Sequence, residues 1–501
     1  MNINQVLLNP NELVQYLQKP ANEFTREDII DFVEGNNIQM INFRYVGEDG
    51  KLKTLNFSIH NKGYLESILS TGERVDGSSL FSFVEAGSSD LYVIPRFRTA
   101  FINPFSEIPT LDILCSFYTS QGAPLENAPE YVLRKAITDF RDKTGYNLKA
   151  LGELEYYVIG DIDNDYPAVD QKGYHTSEPF AKFEKLRVEA MNLIAKAGGE
   201  IKYGHSEVGC FTTEKKFYEQ HEIEFLPMEI EKCADQLLIA KWILRTLGHQ
   251  YGLDVSFAPK ITVGKAGSGM HFHLMLEKNG ENVMANENGL TTEAKKLIAG
   301  LLTYAAPLTA FGNTVPISYL RLVPHQEAPT NICWGDSNRS VLVRVPLGWV
   351  AQTSMIKDAN PKQQAPIPYI PGKQTVELRS PDGSADIYEL LAGITMAAQH
   401  GLENPDSLNI AKELYVNGDI FKPASKERLE KLSSLPTSCY ESAECLEKNR
   451  SLFEKNGIFP PGMIDNIVYK LKQHNDKDLS ERMYGKNEEI AKLVEKHLHV
   501  K

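Results

Sequence analysis

Two alternating runs of apolar residues, Ile41, Phe43 and Tyr45 followed by Leu55, Phe57 and Ile59, flank Glu48-Asp49-Gly50. Period-two alternation broken by a glycine-containing turn predicts a β-hairpin over residues 38–59. Residues 71–90 (TGERVDGSSLFSFVEAGSSD) are rich in Gly and Ser yet carry Leu80, Phe81 and Phe83, which predicts a surface flap that docks on something. A strand is expected near Leu111–Phe117, and GAPLENAPE, with Pro124 and Pro129, reads as a connection before a helix starting near Tyr131. A domain boundary is expected there, dividing the chain into residues 1–122 and 123–501. Beyond it, helical spacing at 181–197 and 227–247, with Cys233, Leu237, Leu238, Leu244 and Leu247 on one stripe, predicts amphipathic helices covering a sheet. Asp358–Lys373 holds Pro361, Pro366, Pro368 and Pro371 and reads as a loop. From Asp386 to the segment Asn487–His497 helical patterns dominate, with no internal repeat.

The 501 residues carry 53 Lys and Arg against 66 Asp and Glu, a net charge of −13, with 42% apolar and 24% charged positions. Such a chain has ample capacity for a buried core, and its composition excludes disordered, collagen-like and small disulfide-scaffold classes. Its acidity argues against nucleic-acid or membrane partners held by bulk charge, so any anionic ligand needs locally placed cations. No apolar stretch approaches the ~20 residues of a membrane span. The start, Met1-Asn2-Ile3-Asn4-Gln5, lacks a basic region followed by an apolar one, and the six cysteines form no C-x-x-C pair. A reduced, cytoplasmic protein is expected.

The phosphate-cradling, serine-hydrolase and zincin motifs are absent. Asp161-Ile162-Asp163-Asn164-Asp165 imitates a calcium loop, but Tyr166 and Lys172 stand where Gly and Glu are required, so a solvated acidic turn is expected. Four segments place two functional side chains two apart: Glu153 and Glu155, Glu222 and Glu224, His271 and His273, Glu377 and Arg379. On strands each pair projects from one face, with Leu154, Ile223, Phe272 or Leu378 pointing the other way. One such pair is usually a solvated strand face; four together, one of them two imidazoles behind Gly267-Ser268-Gly269, suggest a site. Carboxylates in excess over imidazole favour Mg²⁺ or Mn²⁺ over Zn²⁺. Arginines around Arg321, Arg339 and Arg344 supply cations for anionic partners, since a cation such as Arg344 between Val343 and Val345 needs a counter-charge. Two divalent ions opposite arginines suit a nucleoside triphosphate and a second anionic substrate, hence phosphoryl transfer.

The segments Gly267–His273 (GSGMHFH), Arg321–Pro329 (RLVPHQEAP), Asn338–Pro346 (NRSVLVRVP), Val75–Ser79 (VDGSS) and Gly152–Tyr156 (GELEY) resemble type I glutamine synthetase, in that family's order. The resemblance implies an α+β fold: an N-terminal β-grasp domain carrying the flap, and a larger catalytic domain whose curved antiparallel sheet forms an open funnel covered by helices. It also implies a double-ring homo-oligomer with active sites between subunits, and ATP-dependent joining of glutamate and ammonia through γ-glutamyl phosphate. Carried across by position, Glu155, Glu207 and Glu222 would hold one Mg²⁺ or Mn²⁺, and Glu153, His271 and Glu377 the other. His273, Arg339 and Arg344 would face ATP, and Gly267, Arg321 and Arg379 would bind glutamate. Asp76, Ser79, Tyr174, Glu207 and Glu327 would form the ammonium site, with Asp76, Glu327 and Arg339 as catalytic residues.

Departures from the family pattern leave some points open. The stretch from Glu207 to Glu222 is longer than the family spacing, so Glu219, Glu222 and Glu224 all remain candidate ligands. Ala266 replaces the usual asparagine before GSGMH, and Thr375 replaces an arginine, which leaves the detailed glutamate and adenine contacts open. Glu413–Asn417 matches the segment of the family's regulatory tyrosine only faintly, so modification of Tyr415 is not expected. A ligase for a larger amine and a catalytically silent ring-forming member are the alternative readings.

Overall fold

The expected hairpin consists of β1 (Met40–Val46) and β2 (Leu52–Ser58), paired antiparallel with Phe43 opposite Leu55. The structure is a computed structural model that describes residues 6–500 except 86, 88, 324–327, 349–352, 365–371, 419, 421 and 423–425. Strands β3 (Glu73–Asp76), β4 (Asp90–Pro95), β5 (Phe101–Ile102) and β6 (Thr110–Thr119) complete a sheet of order β2-β1-β6-β4-β3, with β5 beside β6. β6 runs parallel to β1 at its centre. Helices Arg26–Gly35 and Lys62–Thr71 contribute Ile29, Phe32, Leu65 and Ile68 to the core of this β-grasp domain. The first helix starts from a capping box, in which Thr25 and Asp28 each satisfy the other's backbone N–H.

The segment 71–90 is not a continuous loop, because Glu73–Asp76 pairs with β4 and Gly77–Ser79 forms a single 3₁₀ turn. Its apolar residues dock on their own domain: Phe81 is buried against Phe117 with ring centroids 4.9 Å apart. The Glu48 carboxylate holds the other side of the flap. It accepts from Ser82 N at 2.6 Å and Ser82 Oγ at 2.8 Å, and from Asn466 and Lys470 of the C-terminal helix Pro461–Gln473. Burial alone would raise this carboxyl; the Lys470 ammonium and the Ser82 and Asn466 donors overcome it and hold the group at about 2. A depressed value contributes stability above the ordinary carboxylate range, and that contribution is lost as pH falls towards 2. Glu48→Gln is therefore expected to speed amide hydrogen exchange in residues 77–84 at neutral pH. The difference from the parent chain should shrink in acid, and equal exchange at pH 7 would refute the tether.

The helix Pro129–Thr144 has proline in its first turn and closes on Gly145 at φ 70°, a left-handed position that suits glycine. The second sheet is built from β7 (Asn147–Gly160), β8 (Ile201–Thr212), β9 (Phe217–Phe225), β10 (Met228–Glu229), β11 (Asp254–Ser256), β12 (Met270–Lys278) and β13 (Glu281–Asn282). A short separate ladder, β14 (Ala285–Asn286) with β15 (Gly289–Leu290), precedes β16 (Trp334–Asp336), β17 (Val343–Val345) and β18 (Val376–Leu378). The main path is β16-β17-β18-β12-β7-β9-β8, antiparallel except for β16 with β17. Leu154, Ile223, Phe272 and Leu378 are fully buried on one face, as alternation requires. The helices expected at 181–197 and 227–247 are Glu184–Lys196 and Ile230–Gln250; the second packs on that face, its Leu237 filling the space above Gly152.

Helices Ile387–Glu403 and Asn487–Lys496 lie within the expected helical C-terminal region. Of the loop expected over 358–373, residues 365–371 lie outside the described residues, and its start belongs to the helix Thr353–Ala359. The acidic turn is exposed, with Asp161 paired to Lys216 and Asp163 to Lys182. The cysteines are free thiols, buried except for the half-buried Cys445. Among the described residues no helix is long and apolar enough to cross a membrane.

The two sheets are joined by an ionic hub. Asp235, on the helix Ile230–Gln250, receives Arg96 bidentately at 3.0 and 2.9 Å, Arg98 at 2.8 Å and the Tyr388 hydroxyl at 2.7 Å. Asp235 is buried, which by itself would raise its proton affinity, but Arg96 and Arg98 keep it below the ordinary range.

Candidate active site

The polar face of the second sheet is assembled by register. Glu153 lies opposite His271 on β12 and Glu224 on β9, and Glu155 lies opposite Glu222. On the outer side, His205 of β8 stands across from Glu222. On the other flank, His273 faces Glu377, which faces Arg344. Residues far apart in the chain thus form neighbouring rows on one face, around a cavity of about 880 Å³.

Glu153, His271, His273 and Glu377 make the tighter half of the site. Glu153 contacts His271 Nδ1 at 2.9 Å and His273 Nε2 at 2.8 Å. The same two nitrogens lie 3.7 and 4.0 Å from the Glu377 oxygens. Arg321 approaches His271 Nε2 at 3.2 Å. Burial would lower the His273 proton affinity, but Glu153 raises it. Burial would likewise raise the Glu153 carboxyl, but the two imidazoles hold it well below its ordinary range. Glu377 is 1% exposed and accepts from Arg344 and from Arg379 Nε, each at 3.0 Å.

The other half is more open. Glu207, Glu222 and His205 each place one donor atom within 4.8 Å of the others, as do Glu153, Glu222 and Glu224. Glu222 is 8% exposed, and its carboxylate makes no hydrogen bond among the described residues. Burial, and then the charges of Glu153, Glu155, Glu207 and Glu224, push its proton affinity well above the ordinary value. Crowded buried carboxylates of this kind call for a cation, and divalent ions fit the donor set: oxygens in excess, with imidazole nitrogens and no thiolate. Glu155 has one oxygen occupied by Gly269 N at 2.5 Å, an approach that depends on glycine, since a Cβ there would lie 2.4 Å from His271 Nε2.

Of the residues singled out in the sequence, Glu153, Glu155, Glu207, Glu222, His271, His273, Glu377, Gly267, Arg321, Arg339, Arg344, Arg379 and Tyr174 all line this cavity. Arg339 is exposed; burial of part of it would lower its proton affinity, but Tyr174, Glu207 and Glu377 raise it. Asp76 and Ser79 do not line the cavity of the single chain. They sit exposed on the flap, where hydrogen bonds from Ser78 and Ser79 hold Asp76 ionised, at about 2. Glu327 lies outside the described residues. Glu219 faces away from Glu222: its carboxylate accepts from Lys182 N and Phe183 N at the start of a helix and pairs with His221.

His205 is not among the residues the sequence singles out, although it obeys the same two-apart rule with Glu207 that marks the other pairs. Thr375, marked in the sequence only as a departure from the family pattern, holds His273 Nδ1 at 2.9 Å, and Lys202, which pairs with Glu224 at 2.6 Å, carries no signal in the sequence.

Residues 37–120 match the family model described as glutamine synthetase, beta-Grasp domain, and residues 126–485 that described as glutamine synthetase, catalytic domain. Glutamine synthetase from Thermotoga maritima is 30% identical over 481 residues, 94% of this chain and 99% of the relative. That from Clostridium saccharobutylicum is 30% identical over 436 residues, 85% and 90% respectively. The fold is similar to that of Plasmodium falciparum glutamine synthetase, with a TM-score of 0.73 at 19% identity over 93% of this chain and 97% of that one. It is also similar to a structure titled "Apo GmaS without ligand", with a TM-score of 0.71 at 19% identity over 90% and 96%. On the two family models and the 30% identity over most of its length, this chain belongs to the glutamine synthetase family, whose enzymes use ATP and divalent metal ions.

Proposed function

We propose that the protein joins ammonia to L-glutamate in an ATP-dependent reaction, through γ-glutamyl phosphate, giving glutamine, ADP and phosphate. The observation that supports this most is the convergence of Glu153, Glu222, His271 and Glu377 with Arg321, Arg344 and Arg379 on one cavity. Glu155, Glu207 and Glu222 would hold one Mg²⁺ or Mn²⁺, and Glu153, His271 and Glu377 the other. Such ions, when bound, neutralise the phosphates of ATP and the charge that develops on the transferring phosphoryl group. Arg339 and Arg344, with His273, face that group; Arg321 and Arg379, near Gly267, bind the glutamate α-carboxylate. Clustered carboxylates bind a cation and are placed to accept its proton, so Glu207 and Tyr174 with Asp76, Ser79 and Glu327 would bind ammonium and release ammonia as the nucleophile. Asp76 and Ser79 would reach this cavity from a neighbouring subunit, in a double-ring homo-oligomer. The division at residues 122 and 123, a cytoplasmic setting, and the absence of nucleic-acid and membrane partners belong to the same reading.

A second reading is joining glutamate to an organic amine. The rings of Tyr203, His205, His175 and Tyr174 form a continuous wall beside the carboxylates, with His175 and His205 centroids 4.3 Å apart, and aromatic faces attract organic ammonium ions. Phosphate release from ATP and Mg²⁺ with glutamate, compared across ammonium and a panel of alkylamines, separates the two. Release with ammonium alone is the expected result. Release only with an organic amine would replace the first reading with the second, and none with any amine would refute both.

A further inference from the structure

We propose that His205 is a direct ligand of the cation held by Glu207 and Glu222, making that site a mixed nitrogen and oxygen site. The proposal rests on the metal-dependent reading above and adds to it a residue of this chain. His205 Nε2 lies 3.9 Å from Glu222 Oε2, and its Nδ1 lies 3.9 Å from Glu207 Oε1 on the other side. These separations are too long for hydrogen bonds. The Nε2–Glu222 separation falls within the range of roughly 3.0 to 4.2 Å that separates donors sharing one ion with bonds of ~2.1 Å, and one atom each of His205, Glu207 and Glu222 lie within 4.8 Å of one another.

The protonation pattern points the same way. His205 Nδ1 faces the Ser206 carbonyl at 3.1 Å. An N–H donated there leaves the Nε2 lone pair free and directed at Glu222, the arrangement by which a metal-binding histidine is usually oriented. The ring is also held in place, packed against His175 at 4.3 Å and Tyr203 at 5.8 Å, with a 14% exposed side chain. Opposite it, Glu222 is nine-tenths buried with no hydrogen bond among the described residues, so that its charge lacks the partner a buried carboxylate requires. Glu155, assigned to this ion by resemblance, has one oxygen committed to the Gly269 N–H. Imidazole in this half as well as in the Glu153 half shifts the donor set towards Mn²⁺ and away from Mg²⁺.

The competing role is packing alone, with His205 serving as one ring of the aromatic wall. His205→Phe keeps a ring and removes the nitrogen, whereas His205→Gln removes the ring. Calorimetric titration of the assembled protein with Mn²⁺ alone is the test. Both variants are expected to lose at least about tenfold in Mn²⁺ affinity at one site per chain, with the other site unchanged. His205→Phe binding both Mn²⁺ ions as tightly as the parent would overturn the proposal. Anomalous scattering from parent crystals soaked in Mn²⁺ needs no variant: an ion within ~2.3 Å of His205 Nε2 supports direct ligation, and one beside Glu222 but farther than ~3 Å from that nitrogen refutes it. Neither measurement involves turnover, so inactivity with every amine would refute the proposed reaction and leave this result standing.

Discussion

Glu377→Gln is expected to lower turnover by at least ~10³-fold while the subunits remain assembled. The carboxylate lies at the centre of the site, within 3.0 Å of two guanidinium groups and 3.7–4.0 Å of two imidazole nitrogens, almost fully out of water. Glutamine retains the shape and its one carbonyl oxygen can still accept from either Arg344 or Arg379, which limits the damage to the local fold. It removes the negative charge through which the group would hold a dication and balance the arginines. Phosphate release under saturating substrates gives the activity, and light scattering gives the assembly state. Parental turnover in this variant would overturn the metal assignment for this half of the site; loss of assembly would show that Glu377 is structural.

Asp235→Ala is expected to destabilise the chain by about 3–5 kcal/mol, the usual cost of removing one partner from a buried ion pair. Arg96 and Arg98 belong to the first domain and Asp235 to the helix beneath the second sheet, so the loss falls on the junction between them. Glu231 still pairs with Arg96 at 3.2 Å and limits the damage. Urea unfolding followed by tryptophan fluorescence should show an earlier midpoint, with faster hydrogen exchange in residues 96–99. An unchanged midpoint would mean that Asp235 is not what holds the two domains together.

The legibility of the site has a simple physical basis. Glu153 with Glu155, Glu222 with Glu224 and His271 with His273 announce themselves because a strand repeats every two residues, and all six fall on the polar face. The same rule read at His205 and Glu207 adds a further pair. Glu219 shows where a linear reading stops: one residue out of phase with Gln220 and Glu222, it points to the opposite face and serves a helix start instead. The flap is recognisable by composition, but its pairing with β4 is hidden because Glu73–Asp76 buries only Val75 and shows no alternating run.

What the linear chain determined by itself is local: the hairpin, the amphipathic helices, the parity of each strand and the kinds of donor placed on it. These follow from covalent geometry and from the period of each element, which hold whatever the rest of the molecule does. Tertiary structure alone decided which rows lie side by side, and therefore that Glu153 touches His271 and His273 while Glu377 lies between two arginines. Register depends on how whole faces bury their apolar side chains against one another, here Leu154, Ile223, Phe272 and Leu378 against one layer of helices. It likewise left Asp76 on the flap, away from the cavity of its own chain, because Phe81 finds its burial in the first domain's sheet.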